Sequence, residues 1–457
     1  MDFSGKKVLV VGMARSGMAA AEKLNDLGAS VSIVDCARNT VLEQRALQLE
    51  KKDISTRLGN HSFDDLNGKE LVVVSPGVPD KIPFLAEARR RGIPVWSEIE
   101  LAYSLINLRE LSVSIIGVTG TNGKTTTILL LGEIFKRAKR PAIVAGNIGH
   151  PLVKCVEELK DGVTLIVELS SFQLKNIVHF KSHIGVLLNI TQDHLDWHVN
   201  FEDYIQAKSR IFLNQDKGDY AVVNYDDPLA RWLLPAVKTT LMPFSKFRTF
   251  GKGVYIKGDK IVANLRGNET EICDVDGVKI KGEHNLDNAL AATAAALLSW
   301  VPPEAINQAL CDFSGVEHRL EYVLTIDGID YYNDSKATNP GATIKALTAF
   351  NRPVILLLGG RNKGNSFEDM AREIKKRVKA VVLFGEATSE IKAILGKGSK
   401  VHCASSVPEA VFMAKELAKL GDVVLFSPAC ASFDMFSNFE ERGEVFKETV
   451  LSFRNPI

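Results

Sequence analysis

The stretch from Ser114 to Thr127 constrains the fold more than any other part of the chain. A β-branched apolar segment, residues 115–118, leads through a glycine-rich turn into an apolar segment, residues 128–135, of helical character. This order predicts a strand, a loop and a helix, and Gly120 and Gly123 allow the loop backbone to adopt positive φ. The N–H groups of such a loop and the positive end of the following helix bind anions. We therefore predict a phosphate-binding loop.

Two side chains at the start of that helix extend the prediction. Lys124 would contact the β- and γ-phosphates of a nucleotide, and the hydroxyl of Thr125 would ligate Mg²⁺. A strict G-x-x-x-x-G-K-[ST] motif would have glycine where this chain has Val118. The alternative is a chance glycine-rich turn, but the strand, loop and helix context favours phosphate binding.

Composition excludes several classes of protein. A chain of 457 residues predicts about two to four domains. Its 56 basic and 55 acidic residues give a net charge of only +1, which offers no electrostatic basis for binding nucleic acid or an anionic membrane. The 6 cysteines are scattered without C-x-x-C spacing, which is typical of reduced thiols. We expect a cytoplasmic enzyme that is a monomer, without membrane insertion.

Short apolar strands alternate with helical segments, which predicts an α/β fold with mainly parallel sheets. We predict three domains. Residues 1–98 would form a Rossmann-like domain, and residues 99–315 a central P-loop ATPase-like domain with a small β-region near residues 251–281. Residues 316–457 repeat the alternation and would form a second Rossmann-like domain.

The first glycine turn, residues 12–17, resembles the dinucleotide fingerprint, but Ala14 replaces its middle glycine. NAD binding is therefore disfavoured, and a nucleotide held differently remains plausible. The alternative is that Gly12 and Gly17 only permit close packing. A second glycine turn follows the apolar strand at residues 71–74. The candidate ligand-binding residues of this domain are Arg15, Ser16, Asp35 and Ser75.

The middle of the chain adds candidate metal ligands. Glu168 ends an apolar strand, where a carboxylate serves Mg²⁺ or, alternatively, caps a helix. His194 lies in the run Asn189–Asp196 after the next strand, and we expect it to ligate a second Mg²⁺. A zinc pair of His194 with His198 is disfavoured because it would need a helix. The spacing of Lys208 in a helical segment predicts only a solvated charge.

Three polar loops each follow a strand in the third domain: residues 333–340, 359–364 and 427–432. Loops at the carboxyl ends of strands in one α/β sheet predict a substrate pocket. Two further polar pairs, His284-Asn285 and His318-Arg319, lie near domain junctions. The guanidinium of Arg319 is suited to contact a triphosphate.

These motifs together resemble the Mur ligases. Gly120–Thr125, Glu168–Ser171, Asn189–Asp196 and His284-Asn285 look like the ATP-binding core of that family. Residues 333–338 and 427–443 resemble the members that add D-glutamate, and the resemblance runs from Gly12 to Gly443. The phosphate loop and the aspartate–histidine motif are shared with sister ligases, so the C-terminal motifs discriminate among them.

The resemblance implies an ATP-dependent ligase of peptidoglycan precursor synthesis. UDP-N-acetylmuramoyl-L-alanine and D-glutamate would be its substrates, an acyl phosphate its intermediate, and ATP with two Mg²⁺ ions its cofactors. One alternative is another Mur-type or folylpolyglutamate-type ligase with a different amino acid or acceptor. A nucleotide switch is disfavoured because residues 362–365 only approximate an N-K-x-D motif.

The resemblance also implies roles for individual residues, and hinge closure of the third domain. The catalytic residues would be Lys124, Glu168, His194, Lys208 and Lys336. ATP would be bound by Gly120, Thr121, Asn122, Gly123, Lys124, Thr125, Thr126, Asn285, Arg319 and Asp334. The substrates would be bound by Arg15, Ser16, Asp35, Ser75, Asn147, Thr338, Lys363, Ser432 and Phe439. The metal ligands would be Thr125, Glu168, His194 and Lys208, the last as a carbamate.

Overall fold

The computed structural model describes residues 2–60, 62–147, 150–195, 197–234, 237–265, 267–280, 282–396 and 400–454. Within these residues the strands form three sheets in an α/β architecture, which confirms the predicted fold class. The chain divides into two compact units, described separately below. One consists of Met1–Val278 with His284–Asp312, and the other of Lys279–Glu283 with Phe313–Ile457.

The N-terminal domain has a parallel sheet in the order β3-β2-β1-β4-β5. Its strands are β1 (Lys7–Val11), β2 (Ser30–Asp35), β3 (Ser55–Leu58), β4 (Leu71–Val74) and β5 (Val95–Ser97). Its helices are α1 (Arg15–Asp26), α2 (Thr40–Glu50), α3 (Pro83–Arg90) and α4 (Glu98–Leu108). Strand β4 is the buried apolar run Leu-Val-Val-Val, as a strand covered on both faces requires.

The central domain has a sheet in the order β14-β13-β12-β11-β10-β9-β6-β8-β7. Its parallel part consists of β6 (Ser114–Thr119), β7 (Ala142–Gly146), β8 (Thr164–Glu168), β9 (Ile184–Leu187), β10 (Tyr220–Asn224) and β11 (Thr240–Ser245). The predicted β-region is β12 (Gly253–Lys257), β13 (Lys260–Leu265) and β14 (Asn268–Asp274), in which successive strands pair antiparallel. The helices are α5 (Lys124–Arg137), α6 (Leu152–Cys155), α7 (Ser171–Lys175), α8 (Phe201–Ser209), α9 (Pro228–Trp232), α10 (Glu283–Leu298) and α11 (Pro303–Asp312).

The order of the central strands determines where the candidate site lies. Strand β6 pairs with β8 and β9, and β8 pairs with β7, all in parallel. The register places Val118 of β6 and Gly146 of β7 beside Glu168 of β8. Because parallel strands end at one edge, the phosphate loop, Glu168 and the segment after β9 begin there together.

The C-terminal domain has a sheet in the order β15-β16-β20-β17-β18-β19, parallel except for the β15–β16 pair. Its strands are β15 (Glu321–Ile326), β16 (Ile329–Asn333), β17 (Val354–Gly359), β18 (Val378–Phe384), β19 (Val401–Cys403) and β20 (Val423–Ala429). Its helices are α12 (Pro340–Thr348), α13 (Glu368–Arg377), α14 (Thr388–Leu395), α15 (Val407–Leu417) and α16 (Phe439–Ser452). The three predicted polar loops follow β16, β17 and β20, which are neighbours in the sheet.

Helix α8 ends at Ser209, and a 3₁₀ turn continues the chain to Phe212. Strand β9 ends at Leu187. The domain boundaries after residues 98 and 315 stay predictions. Among the described residues, no helix combines the length and apolarity needed to span a membrane.

Candidate active site

The predicted phosphate-binding loop has the expected strand, loop and helix geometry. Gly123 caps α5 with φ of +86°, a left-handed conformation that favours glycine. The amine of Lys124 folds back over the loop and donates to the carbonyl oxygens of Gly120 and Thr121, at 2.8 and 3.0 Å. The loop therefore keeps its cation next to the backbone groups that would surround a phosphate.

Hydrogen bonds to the segment after β9 hold the loop in place. The side chain of Asn189 accepts from the backbone N–H of Asn122 at 2.9 Å and donates to its carbonyl oxygen at 3.1 Å. The hydroxyl of Thr121 accepts from the N–H of Thr191 at 3.0 Å. These contacts hold the loop in one conformation, which lowers the entropic cost of ordering it for nucleotide binding.

Glu168 and Thr125 are in direct contact, as the metal prediction requires. The hydroxyl of Thr125 donates to one carboxylate oxygen of Glu168 at 3.0 Å, and the amide of Asn147 donates to the other at 3.0 Å. Glu168 is buried, and both donors are uncharged. A buried carboxylate with uncharged partners favours a nearby cation, and oxygen ligands are those that Mg²⁺ prefers. These residues fit a magnesium ion.

Lys208 is buried, and the prediction of a solvated charge is wrong. Its amine donates to the carbonyl oxygen of Gly120 at 2.8 Å and lies 4.7 Å from the centre of the Tyr204 ring. Burial, and secondarily the charge of Lys124, lowers the pKa of Lys208 well below the usual range for lysine. The helical spacing did not predict the burial of Lys208, because it does not show that α8 directs this side chain towards the phosphate loop.

Sequence reasoning also missed Tyr204, one helical turn before Lys208. Its hydroxyl lies 2.9 Å from the hydroxyl of Thr121, and its ring centre lies 6.3 Å from that of His194. Burial raises the pKa of Tyr204, so the phenol stays protonated. Tyr204 therefore lies among three predicted site residues. The only sequence signal was its i, i+4 spacing from Lys208.

The two histidines after β9 differ in environment. His194 is exposed, has φ of +54° and lies against the ring of Phe172, with ring centres 4.8 Å apart. The buried ring of His198 uses both nitrogens, with Asp203 at 2.8 Å and Ser171 at 2.9 Å. His198 is therefore a structural residue, which argues against the zinc pair. Asp196 lies outside the described residues.

Helix α10 contributes a second residue that sequence reasoning missed, Asn288. Its buried side chain accepts from the hydroxyl of Thr127 at 3.3 Å and donates to the side chain of Asn285 at 3.1 Å. Asn288 thereby links the predicted ATP ligand Asn285 to α5. Thr126 is also buried on α5. An asparagine inside an alanine-rich helix gave no signal beyond its polarity.

Gly123→Ala tests how closely the loop packs. A Cβ at this position would lie 2.1 Å from the side-chain oxygen of Asn288, in addition to the cost of positive φ. We expect the KM for ATP to rise by about tenfold or more, because displacing the loop misplaces its N–H groups. Steady-state kinetics with varied ATP measures the effect. Gly162→Ala is the matched control, since Gly162 has φ of +78° and open space around its Cβ position. Equal ATP KM values in the two variants would contradict the packing argument.

A cavity of about 230 Å³ lies between the N-terminal and central domains. Four predicted substrate-binding residues line it: Arg15, Ser16, Ser75 and Asn147. The Ser75 hydroxyl is buried there and has no hydrogen-bond partner among the described residues, as expected of a group that awaits a ligand. Because Asn147 also contacts Glu168, the cavity adjoins the candidate metal site.

Asp35 and the glycines of the first turn make contacts with the backbone. The carboxylate of Asp35 accepts from the N–H groups of Met13 and Ala37, at 2.8 and 2.9 Å, and does not line the cavity. A Cβ on Gly17 would lie 1.9 Å from the carbonyl oxygen of Gly12. The packing interpretation of these glycines is therefore supported, and the turn also carries two residues of the cavity wall.

In the third domain, Lys336 lies over an aromatic ring near buried polar groups. Its amine is 4.0 Å from the centre of the Phe439 ring, and the hydroxyl of Ser335 donates to the Phe439 carbonyl oxygen at 2.8 Å. The carboxylate of Asp334 accepts from the hydroxyl of Ser427 at 2.7 Å and from the N–H of Leu320 at 3.2 Å. Burial raises the pKa of Asp334 to about 7.

Three of the four other predicted residues of this domain lie on the loops after β16, β17 and β20, and Arg319 lies outside them. The exposed Lys363 has its amine 5.3 Å from the centre of the Phe433 ring. Ser432 is buried and its carbonyl oxygen accepts from the N–H of Phe436 at 2.9 Å. Thr338 is half-buried two residues after Lys336, and Arg319 is half-buried on the segment before β15. The loops after β16, β17 and β20 thus carry cations and hydroxyls suited to carboxylates.

The fold and this site define a nucleotide-dependent α/β enzyme with N-terminal, central and C-terminal domains. The chain matches the families described as Mur ligase MurD-like, N-terminal domain, over residues 6–97, and Mur ligase middle domain, over residues 118–296. It also matches the family described as Mur ligase, glutamate ligase domain, over residues 318–430. The chain belongs to the Mur ligase family.

Close relatives cover nearly the whole chain. The UDP-N-acetylmuramoylalanine--D-glutamate ligase of Pelotomaculum thermopropionicum is 44% identical over 455 residues, covering 99% of each chain. The ligase of the same name from Clostridioides difficile is 42% identical over 453 residues, covering 98% of this chain and 99% of its own.

Solved structures share the fold at low identity. UDP-N-acetylmuramate-alanine ligase from Thermotoga maritima has a TM-score of 0.58 at 20% identity, covering 98% of this chain and 99% of its own. MurF from Acinetobacter baumannii has a TM-score of 0.61 at 18% identity, with 96% and 93% covered. The T. maritima MurF ligase solved in complex with ADP has a TM-score of 0.59 at 18% identity, with 92% and 95% covered.

Proposed function

We propose that this chain catalyses the ATP-dependent addition of D-glutamate to UDP-N-acetylmuramoyl-L-alanine in peptidoglycan precursor synthesis. The observation that carries the proposal is the position of Asn147, which lines the candidate substrate cavity and donates to Glu168. Glu168 also accepts from Thr125, which lies beside the phosphate loop. The names of the close relatives support the choice of substrates. Another Mur-type ligase remains the second candidate because the phosphate loop is shared within the family.

The chemistry requires activation of the acid. A carboxylate does not react with an amine because its leaving group would be oxide. A carboxylate oxygen of the alanyl group therefore attacks the γ-phosphorus of ATP, the bond to the bridging oxygen breaks, and ADP leaves. The amine of D-glutamate then attacks the acyl carbon, inorganic phosphate leaves with the carboxylate oxygen, and the nitrogen loses a proton. The product is an amide.

In the first step the alanyl carboxylate approaches the γ-phosphate of ATP, and groups of the central domain would reduce the repulsion between these two anions. Lys124 supplies a positive charge at the loop, and the loop N–H groups and the α5 terminus orient the phosphates. Thr125 and Glu168 would hold Mg²⁺, which when bound supplies further neutralisation of the phosphate charge. Asn147 and Ser75 would orient the acid at the metal side of the cavity. Binding of a second ion at His194 is part of the same proposal.

The proposal includes a carbamate on Lys208. An uncharged lysine amine attacks CO₂ to form an N–C bond, and the nitrogen loses a proton, which leaves a carboxylate at the end of the side chain. Burial next to Gly120 and Lys124 supports this because it disfavours the ammonium form. An ammonium cannot ligate Mg²⁺, whereas a carbamate offers oxygen ligands.

D-Glutamate would bind on the C-terminal domain. Its two carboxylates need cations and hydroxyls, and the three loops carry Lys336, Thr338, Lys363 and Ser432. Lys336 lies over the ring of Phe439, and Lys363 lies over the ring of Phe433. The roles of Arg319, Asp334 and Asn285 towards ATP, and of Arg15, Ser16 and Asp35 towards the UDP moiety, belong to the same proposal. We also propose that the enzyme acts as a monomer in the cytoplasm.

Lys363→Ala tests the assignment of the amino-acid pocket. Removing this exposed cation deletes a partner of a substrate carboxylate, so we expect the KM for D-glutamate to rise by about tenfold while the KM for ATP changes little. Lys376→Ala is the control, because Lys376 lies exposed on α13 and pairs with Glu373 at 2.7 Å. Equal increases in both KM values for Lys363→Ala would remove the assignment.

Phosphate release tests the function as a whole. The purified chain is incubated with ATP, Mg²⁺ and UDP-N-acetylmuramoyl-L-alanine, and D-glutamate, L-glutamate or diaminopimelate is added in separate reactions. We expect rapid phosphate release and a new amide product only with D-glutamate. Faster turnover with either of the other amino acids would favour a different ligase of the family, and no turnover with any of them would contradict the ligase proposal.

A further inference from the structure

Arg442 is a charged residue buried inside the C-terminal domain. It lies in the first turns of α16 and is 0% exposed. In the described part of the chain its hydrogen-bond acceptors are backbone carbonyl and hydroxyl oxygens. Burial lowers its pKa to about 10, so the guanidinium keeps its charge at neutral pH. A buried charge is costly unless its donors are satisfied, so each acceptor contributes to retaining it.

The acceptors belong to all three loops of the candidate amino-acid pocket. Nε and Nη2 donate to the hydroxyl and the carbonyl oxygen of Ser335, at 3.1 and 2.8 Å. Nη1 donates to the carbonyl oxygen of Cys430 at 3.1 Å and, more weakly, to that of Gly359 at 3.5 Å. One planar guanidinium therefore joins the ends of β16, β20 and β17.

Each contacted residue lies close in sequence to a predicted ligand of D-glutamate. Ser335 precedes Lys336, Cys430 precedes Ser432 by two residues, and Gly359 begins the loop that carries Lys363. The Ser335 hydroxyl continues the chain of contacts by donating to the carbonyl oxygen of Phe439 at 2.8 Å. The loops also pack closely at Gly360, where a Cβ would lie 2.2 Å from the Ala431 carbonyl oxygen.

We infer that Arg442 is the positioning residue of the amino-acid pocket: its guanidinium sets the spacing of the three loops that bind D-glutamate. The inference rests on the proposed function. Arg442 acts through backbone carbonyl groups and the Ser335 hydroxyl, and its contribution is the relative placement of Lys336, Lys363 and Ser432. Lysine cannot replace it, because a single ammonium does not present donors to three loops in one plane.

Arg442→Lys and Ser335→Ala test the inference, with Arg352→Lys as the matched control. Arg352 is a partly exposed arginine of the same domain. It pairs with Asp330 near the amino ends of the strands, whereas the three loops follow their carboxyl ends. We expect Arg442→Lys to raise the KM for D-glutamate by about tenfold or more, since small displacements of binding groups are costly. The ATP KM should stay within about twofold. Ser335→Ala, which loses one acceptor, should raise the D-glutamate KM by about threefold.

The double variant provides a sharper readout. Because both substitutions break the same contact, their combined effect on the D-glutamate KM should be smaller than the product of the single effects. Effects that multiply, an unchanged D-glutamate KM, or equal rises in the KM for ATP would overturn the inference. Circular dichroism and thermal melting monitor folding, and if Arg442→Lys does not fold, Ser335→Ala decides by the same criterion. A wild-type chain without D-glutamate-dependent phosphate release would overturn the proposed function, and this inference with it.

Discussion

Lys124→Met is expected to reduce kcat for D-glutamate-dependent phosphate release by about 10³-fold. The amine lies 2.8 Å from the carbonyl oxygen of Gly120, within the loop that would surround the phosphates. Without the charge of Lys124, the substrate carboxylate and the γ-phosphate repel each other more strongly as they approach. Methionine keeps much of the side-chain volume, so the loss reports on charge. The measurement is steady-state phosphate release at saturating substrates.

The control for this variant lies on the same helix. Lys136 is exposed near the other end of α5 and pairs with Glu133 at 3.6 Å, and Lys136→Met should keep wild-type kcat. Normal turnover by Lys124→Met would show that phosphoryl transfer does not depend on this cation. The interpretation of residues 114–127 as the catalytic phosphate loop would then fail.

Lys208→Ala is expected to lower kcat by a similar factor, and a small carboxylate should restore part of it. The substitution removes the proposed carbamate and leaves space beside Gly120, where acetate or propionate can supply carboxylate oxygens. We expect acetate to raise the activity of Lys208→Ala by about tenfold or more and to leave wild type unchanged. Chloride at the same ionic strength serves as the salt control.

The proposed carbamylation can be tested without measuring activity. After incubation with ¹³C-bicarbonate, the wild-type chain should show a carbamate carbon by NMR that is absent from Lys208→Ala. Lys217→Ala is the matched control, because Lys217 is exposed in the same domain and should leave the signal intact. Absence of both the signal and the carboxylate rescue would contradict carbamylation of Lys208.

Local sequence patterns were sufficient to predict the elements whose geometry is set by neighbouring residues. The phosphate loop could be predicted because Gly120, Gly123 and Lys124 follow an apolar strand directly, and their geometry is set within a few residues. Glu168 was predicted for a similar reason, since it ends β8. The three polar loops of the third domain could also be predicted, because each follows an apolar strand.

Long-range packing produced what the sequence did not reveal. Arg442 and Lys208 look like solvated charges on helices, and their burial depends on which loops fold over them. Tyr204 and Asn288 contact the phosphate loop from helices 80 and more residues away, as the separation of Thr121 from Tyr204 illustrates. The edge strands β3 and β19 are short and partly polar, so neither gives a clear apolar run. The order of the strands in the sheets brings these residues to the site, and no local sequence pattern encodes that order.

Transfer of ¹⁸O tests the central claim, that an acid becomes an acyl phosphate at the edge of the central sheet. UDP-N-acetylmuramoyl-L-alanine labelled with ¹⁸O in both alanyl carboxylate oxygens is converted with ATP and D-glutamate, and the released phosphate is analysed by mass spectrometry. The account predicts one ¹⁸O atom in each phosphate and the other in the amide carbonyl. Unlabelled phosphate accompanying the amide product would contradict it.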